Sequence, residues 1–267
     1  MIRLRAVWPL LLLCATAQAQ DPVALRGRHA ELHPHLASSP FGRPLHVDSV
    51  VEGNRHKGEI HAVIDQPYAA VSAALARPGH WCEILTIQIN VKRCEPGADS
   101  LSAFITRKPR DTVDGAHRID FRFEVAASRA DYLHVGLNAD AGPVGTRDYQ
   151  IRLEATPLDG KRTFLRMSYA YTLGTMARLA MDAYLAGAGR NKRGFSVEGG
   201  ERGVIERAAM RHYLGIEAYL ASLAAPPGKR LDSRLRSWYA AAARYPQLQE
   251  RVGLDEYVEM KHREAAG

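Results

Sequence analysis

Apolar and polar positions alternate most clearly in the middle of the chain. Ile119, Phe121, Phe123 and Val125 alternate with Arg118, Asp120, Arg122 and Glu124, with His117 leading the run. Leu133, Val135 and Leu137 repeat the pattern. Tyr149, Ile151 and Leu153 alternate with Asp148, Gln150, Arg152 and Glu154, and Leu165, Met167, Tyr169 and Tyr171 with Arg166, Ser168 and Ala170. Successive side chains of a strand point to opposite faces, so these runs predict a sheet with one wet and one apolar face. Asp159-Gly160 predicts a hairpin between the last two runs, and the sheet is expected to be antiparallel over most of its width. Earlier strand-like runs lie at 46–51 and 59–64 around the turn-prone Gly53-Asn54, and a weaker one at 101–108.

Helical spacing surrounds this block. Asp65 before Pro67 and the run Tyr68, Val71, Leu75 predicts a capped amphipathic helix. Thr175, as a cap, opens a run with Met176, Leu179, Ala180 and Ala183 that Gly187 and Gly189 stop. No strand leads into Gly187-Ala188-Gly189, so it reads as a helix stop and not a phosphate loop. A longer helix is predicted over 201–223. Ile205, Ala209, Tyr213, Ile216, Leu220 and Leu223 form its apolar stripe, with Arg202, Glu206, Arg207 and Glu217 outside it. Pro226-Pro227-Gly228 ends that helix. Two more, at 231–244 and 254–264, are too short for a core of their own and are expected to pack back on the main domain. The predicted fold class is α+β, a curved antiparallel sheet covered by the long helix.

The first residues carry an address. Arg3 and Arg5 precede the apolar run Leu10 to Leu13, and Ala17-Gln18-Ala19 closes it, which predicts a signal peptide over 1–19 cut after Ala19. That run is too short for a permanent membrane span, and no later segment is long enough to serve as a transmembrane anchor. Lipidation at Cys14 would need a small residue before it, where Leu13 stands. The mature protein is therefore expected in the periplasm or outside the cell. Residues 20–44, with Pro22, Pro34, Pro40 and Pro44 and little periodicity, read as an irregular leader.

Cleavage leaves two cysteines, Cys82 and Cys94, in an oxidising compartment, where such a pair is expected to bridge; two buried free thiols are the other reading. A straight strand through Ile87, Ile89 and Val91 would hold them about 40 Å apart, too far for a bond. Pro78, Trp81, Ile84 and Leu85 instead have helical spacing. A short helix from Pro78 to Thr86 or Gln88, then a reversal near Asn90, would return Cys94 to Cys82.

The order of strands, two short helices, an antiparallel sheet with one apolar face and a long helix resembles the helix-grip architecture of the START-like (SRPBCC) superfamily. The resemblance covers 45–225 and leaves 226–267 as a helical extension. The strings WCEIL...NVKRC and GVIERAAMRHYLGIEAYL are also similar to those of secreted bacterial proteins of that shape. The element between the cysteines is shorter than usual for the superfamily, and the helix at 175–187 is additional. The resemblance implies a hydrophobic small molecule or lipid held non-covalently between sheet and helix, with catalysis in a minority of such domains. It implies no cofactor.

The inward parity contains Phe121, Phe123, Tyr149, Met167, Tyr169 and Tyr171. Aromatics with polar tips and an adaptable methionine suit a ligand site, although the same side chains would also make a solid core on the long helix. Arg211, four residues after Arg207, is a candidate to hold an anionic group at the mouth, unless acids such as Glu206 neutralise the pair. His29, Glu31, His33 and His35 are close together but do not form a metal-binding spacing, and no metal site is expected. There is no G-x-S-x-G elbow, and bridged cysteines are not nucleophiles, so no catalytic residue is assigned. An enzyme acting on a lipid-like or aromatic substrate, and an envelope protein with a filled core, remain as alternatives.

The formal charge is +7, falling to +5 once Arg3 and Arg5 leave with the signal. Clusters such as Arg107, Lys108, Arg110 and Arg190, Lys192, Arg193 lack interleaved aromatics, which argues against nucleic acid. The charge permits peripheral contact with an anionic membrane surface. N-terminal sequencing of the exported protein is expected to begin at Gln20; a lipidated Cys14 at the N-terminus would overturn this.

Overall fold

The computed structural model describes residues 21–197, 199–249 and 252–266. The expected signal segment, 1–19, lies outside the described residues. Helix α1 (Pro22–Ala37) comes first, followed by strands β1 (Leu45–Glu52) and β2 (Arg55–Ile64) and helices α2 (Tyr68–Leu75) and α3 (Pro78–Leu85). Strands β3 (Val91–Pro96), β4 (Ser100–Ile105), β5 (His117–Ser128), β6 (Leu133–Ala141), β7 (Thr146–Pro157) and β8 (Thr163–Leu173) come next. Helices α4 (Thr175–Ala186), α5 (Gly200–Ser222), α6 (Arg230–Ala243) and α7 (Leu254–Ala266) complete the chain. The strands form one antiparallel eight-stranded sheet in the order β1-β2-β8-β7-β6-β5-β4-β3. The α2–α3 crossover carries the chain from β2 to the far edge at β3. This is the helix-grip α+β arrangement expected.

The alternating residues divide between the faces as their parity requires. Ile60, Ile151, Leu153, Leu165 and Met167 are buried in one core with Ile205, Ala209, Tyr213, Ile216 and Leu220 of α5. On the outer face Arg166 bridges Glu59 at 2.6 Å and Glu154 at 3.2 Å. The second side of α5 is also buried, because α6 lies there. Met210, Leu214 and Tyr219 join Leu235 and Trp238 in the same core, and the Trp238 indole N–H donates to the Arg211 carbonyl at 3.2 Å. A helix enclosed on two sides has little amphipathic contrast. That is why the sequence stripe captures only one of its two buried sides.

The 20–44 segment corrects the expectation of an irregular leader, since most of it is α1. Asp21 caps this helix, its carboxylate accepting from the Val23 N–H at 2.9 Å. Pro22 occupies the first turn, where its missing N–H costs nothing. Leu25, Leu32 and Leu36 bury against Tyr132 and Phe164 on the outer face, so α1 covers one end of the wet side. Two predicted caps also differ. Pro67, not Asp65, precedes α2, and Gly174, not Thr175, precedes α4.

Cys82 on α3 and Cys94 on β3 are bonded, with Cα atoms 5.2 Å apart. The reversal falls where expected: the Val91 N–H donates to the Gln88 carbonyl at 3.1 Å, and β3 starts there. Helix α7 closes over this connection. The Tyr257 hydroxyl donates to the Ile87 carbonyl at 2.6 Å, and the Lys261 ammonium to the Val91 carbonyl at 2.7 Å. Reduction of the bridge is expected to cost about 3 kcal/mol for so short a loop. Thermal melts with and without reductant should differ by several degrees; equal midpoints would show that the bridge does not stabilise the fold.

Candidate ligand-binding site

The three inward tyrosines come together near the start of α5. Tyr149 lies at a bulge in β7, between the pairs Arg147–Thr172 and Gln150–Ala170. Asp148 takes a left-handed conformation there, with φ 53°. The extra residue sets Tyr149 opposite Tyr171, as bulges redirect side chains. Ring centroids are 5.6 Å apart for Tyr149–Tyr171, 5.9 Å for Tyr169–Tyr171 and 6.2 Å for Tyr149–Tyr169.

Gly58 brings α5 onto this cluster. It pairs with Tyr169 across β2 and β8, and a Cβ at 58 would meet the Ala209 Cβ and the Ile205 carbonyl oxygen, each at 3.0 Å. One turn on from Ala209, His212 stacks on Tyr169 at 4.5 Å with an interplanar angle of 20°. Its Nδ1–H donates to the Ala208 carbonyl at 2.8 Å, which leaves Nε2 with a lone pair. Burial holds His212 below the usual histidine range, so the ring is neutral at pH 7.

The hydroxyls divide into satisfied and unsatisfied. Thr146 donates its hydroxyl to the Pro143 carbonyl at 2.6 Å and can accept from the Tyr149 hydroxyl at 2.8 Å. Tyr169 and Tyr171 hydroxyls have no hydrogen-bond partner among the described residues. Burial raises the pKa of all three phenols, that of Tyr169 most strongly, so they remain neutral donors. Tyr169 and His212 are deeply enclosed yet keep some accessible surface, whereas Met167 one row away has none.

One end of the cluster is closed by polar groups. His56 stacks on Tyr171 at 5.3 Å and 7°. Its Nε2 faces the Glu201 carboxylate at 2.5 Å and its Nδ1 the Asn54 carbonyl at 3.1 Å. Arg178 of α4 bonds to Glu201, to the Gly53 carbonyl at 3.1 Å and to the Asn54 side chain at 2.9 Å. These bonds fasten the first turn of α5 to α4 and to the β1–β2 hairpin.

Of the residues predicted to bind ligand, Tyr149, Tyr169 and Tyr171 meet. Phe121 and Phe123 on β5 and Met167 on β8 are buried in the core, and no ring contact among the described residues joins the two phenylalanines to the tyrosines. Ala139 of β6 lies between the rows of Phe121 and Tyr149. Arg211 lies on the flank of α5 toward α3 and α6, where its carbonyl accepts from Gln88 at 2.9 Å and from Trp238. Arg207 donates to the Arg193 carbonyl at 2.8 Å and the Lys192 carbonyl at 3.3 Å. Glu206 instead takes hydrogen bonds from Ser49, Phe195 and Ser196. His56, His212, Glu201 and Arg178 were not read from the sequence. His56 shares the parity of Ile60 on β2, and His212 follows Ala209 by one turn; those two signals were present.

The best-formed concavities among the described residues open elsewhere. One of about 610 Å³ lies between the 109–113 loop and α7. Another of about 940 Å³ lies between α1 and the outer face of the sheet. Neither lies between the inner sheet face and α5.

No family model matches the chain, and no curated protein matches it in sequence. Solved structures of related shape include a conserved protein of Geobacillus kaustophilus, 14% identical, covering 62% of this chain and 95% of that one, with a TM-score of 0.40. Norcoclaurine synthase of Thalictrum flavum is 10% identical over 52% of this chain and 86% of its own, with a TM-score of 0.37. A START superfamily protein of Mycobacterium smegmatis is 12% identical over 49% and 92%, with a TM-score of 0.32. The fold class rests on this chain's own strand order and the placement of α5.

The contrast between hydroxyls is measurable. Tyr169→Phe is expected to leave stability within about 0.5 kcal/mol, since it removes a hydroxyl without a partner. Tyr213→Phe is expected to cost about 1.5–3 kcal/mol, because its hydroxyl donates to Glu217 and accepts from Arg43, each at 2.6 Å. Denaturant titration of both variants checks this; equal losses would show that Tyr169 is bonded in solution.

Proposed function

We propose that this is an exported protein that binds a small, mainly apolar molecule non-covalently between the inner sheet face and α5, against Tyr149, Tyr169, Tyr171 and His212. The reading is carried by the Tyr169 and Tyr171 hydroxyls, which lack partners among the described residues and keep some accessible surface, beside the Nε2 lone pair of His212. A molecule with a hydroxyl or carbonyl on an apolar ring would satisfy them together. Phe121, Phe123 and Met167 are packed as core, which favours an occupant of ring size over a long acyl chain. The charge of Arg211, next to His212 in the chain, helps keep that imidazole neutral. The Cys82–Cys94 bond and the signal-like pattern of the first 19 residues support a periplasmic or extracellular setting.

A second reading rests on His212. A neutral imidazole with a free Nε2 beside two phenols can accept a proton from a bound molecule, so an enzyme acting on an aromatic or lipid-like substrate is the alternative.

Native mass spectrometry of protein taken from the exported fraction is expected to show a small molecule retained non-covalently. His212→Leu should weaken its retention about tenfold, as loss of one enclosed hydrogen bond would, while leaving the melting midpoint close to wild type. Since burial lowers the His212 pKa and keeps the ring neutral at pH 7, retention should be flat from pH 8 to 7. A wild-type protein that retains no small molecule would leave the filled-core envelope protein ahead, and a released molecule altered in mass would favour the enzyme.

A further inference from the structure

The contact between α1 and the outer face of the sheet is lined with histidines. His29 stands edge-on to Phe164 at 4.9 Å and to His33 at 6.4 Å. His35 meets His46 at 5.2 Å, His46 meets His61 at 6.1 Å, and His61 stacks on Phe164 at 6.2 Å. Leu25, Leu32, Leu36 and Tyr132 supply the apolar part of the seam. His61 on β2 is fully buried, and neither of its ring nitrogens has a hydrogen-bond partner. A neutral imidazole is tolerated there. An imidazolium would be an unpaired charge in an apolar seam.

The surrounding charges do not change this. Glu59 on β2 and Asp48 on β1 favour the cationic forms. Arg28 of α1, Arg166 of β8 and Arg162 from the β7–β8 turn oppose them, as do the neighbouring histidines. Glu59 is already bound to Lys57 at 2.9 Å and to Arg166 at 2.6 Å, and Glu31 to Arg28 at 3.2 Å. The half-exposed Arg26–Asp131 pair contributes little to holding α1. A groove bordered by Lys57, Arg152 and Ser168 opens along the other side of α1, and none of the seam histidines lines it.

We propose that α1 is an acid-released strap, docked on the outer face while the seam histidines are neutral and set free when they take up protons. Burial is the main cause that holds His29 and His46 below the usual range, and His61 down to about 3. Once α1 is released, these rings on the helix and on the uncovered strands would return to the ordinary histidine value of about 6.5. Docking is therefore insensitive to pH above 6.5 and weakens as pH falls from 6.5 toward 3. At pH 5 His61 alone shifts the equilibrium about 30-fold toward release. The sheet itself outlasts the strap. Against its own burial, Glu59 is held down to about 2 by Arg166 and Lys57 and stays ionised throughout this window. Release uncovers Phe164 and the three leucines, an apolar surface absent at neutral pH.

Amide hydrogen exchange of the mature protein at pH 7.5 and 5.0, corrected for intrinsic rates, tests the strap. The opening equilibrium of 22–37 is expected to rise about 30-fold or more at pH 5.0, with protection of β7 and β8 retained. His61→Leu should remove most of that rise. Unchanged protection of α1, equal loss across the sheet, or a full rise in His61→Leu would each overturn the proposal. If His61→Leu does not fold, His46→Gln at a partly exposed position serves instead. It should lessen the rise, and an unchanged rise in that variant would overturn the proposal as well.

Discussion

A Cβ at residue 58 would meet α5 on both a side chain and a carbonyl oxygen at 3.0 Å, so the glycine there sets how closely the long helix lies on β2. The inner face depends on that distance. A wider gap would lift His212 from Tyr169 and draw Glu201 away from His56. The atoms met there, the Ala209 Cβ and the Ile205 carbonyl oxygen, are fixed by the helix backbone and have little freedom to yield. Helix α6 presses from the opposite side, and the enclosed α5 becomes the axis around which sheet and C-terminal helices are arranged. For that reason Leu235, Trp238, Leu248, Tyr257 and Met260 of the later helices share one core with the sheet.

The two faces of the sheet handle polar groups differently. On the outer face carboxylates and guanidiniums meet in a partly hydrated setting, with Arg166 shared between Glu59 and Glu154. On the inner face the polar atoms are neutral hydroxyls and imidazoles, which cost far less to enclose than charges. The exceptions are the Glu201 cluster, placed where α5 begins and fastened to α4 and the first hairpin, and the buried Glu206 and Arg207 further along α5, each held by several hydrogen bonds.

Much of this was legible in the sequence. Strict alternation in 117–125 and 149–171 gave away the strands and their inward side, because a one-residue slip would have turned every apolar side chain outward. Tyr149, Tyr169 and Tyr171 were found by the same parity. Parity says which face a residue occupies but not which rows meet, so Phe121 and Phe123 were grouped with the tyrosines although no ring contact among the described residues joins them. His56 and His212 escaped because their meeting depends on Gly58, a contact between elements 150 residues apart. Helix α1 escaped because Pro22 and Pro34 disguise a helix whose leucines recur at wide spacing. The histidine seam is scattered over His29 to His61 and becomes a unit only when α1 docks.

The bridge between Cys82 and Cys94 has a bearing on how the molecule meets copies of itself. β3 is an edge strand, and edges invite pairing with other chains. Here Cys94 is tethered to α3, the Val91 carbonyl is occupied by Lys261 of α7, and Pro96 has no N–H to offer. That margin of the sheet is sealed against addition of another strand. Any growth of the sheet by recruitment of a further strand would have to proceed from the opposite margin, at β1.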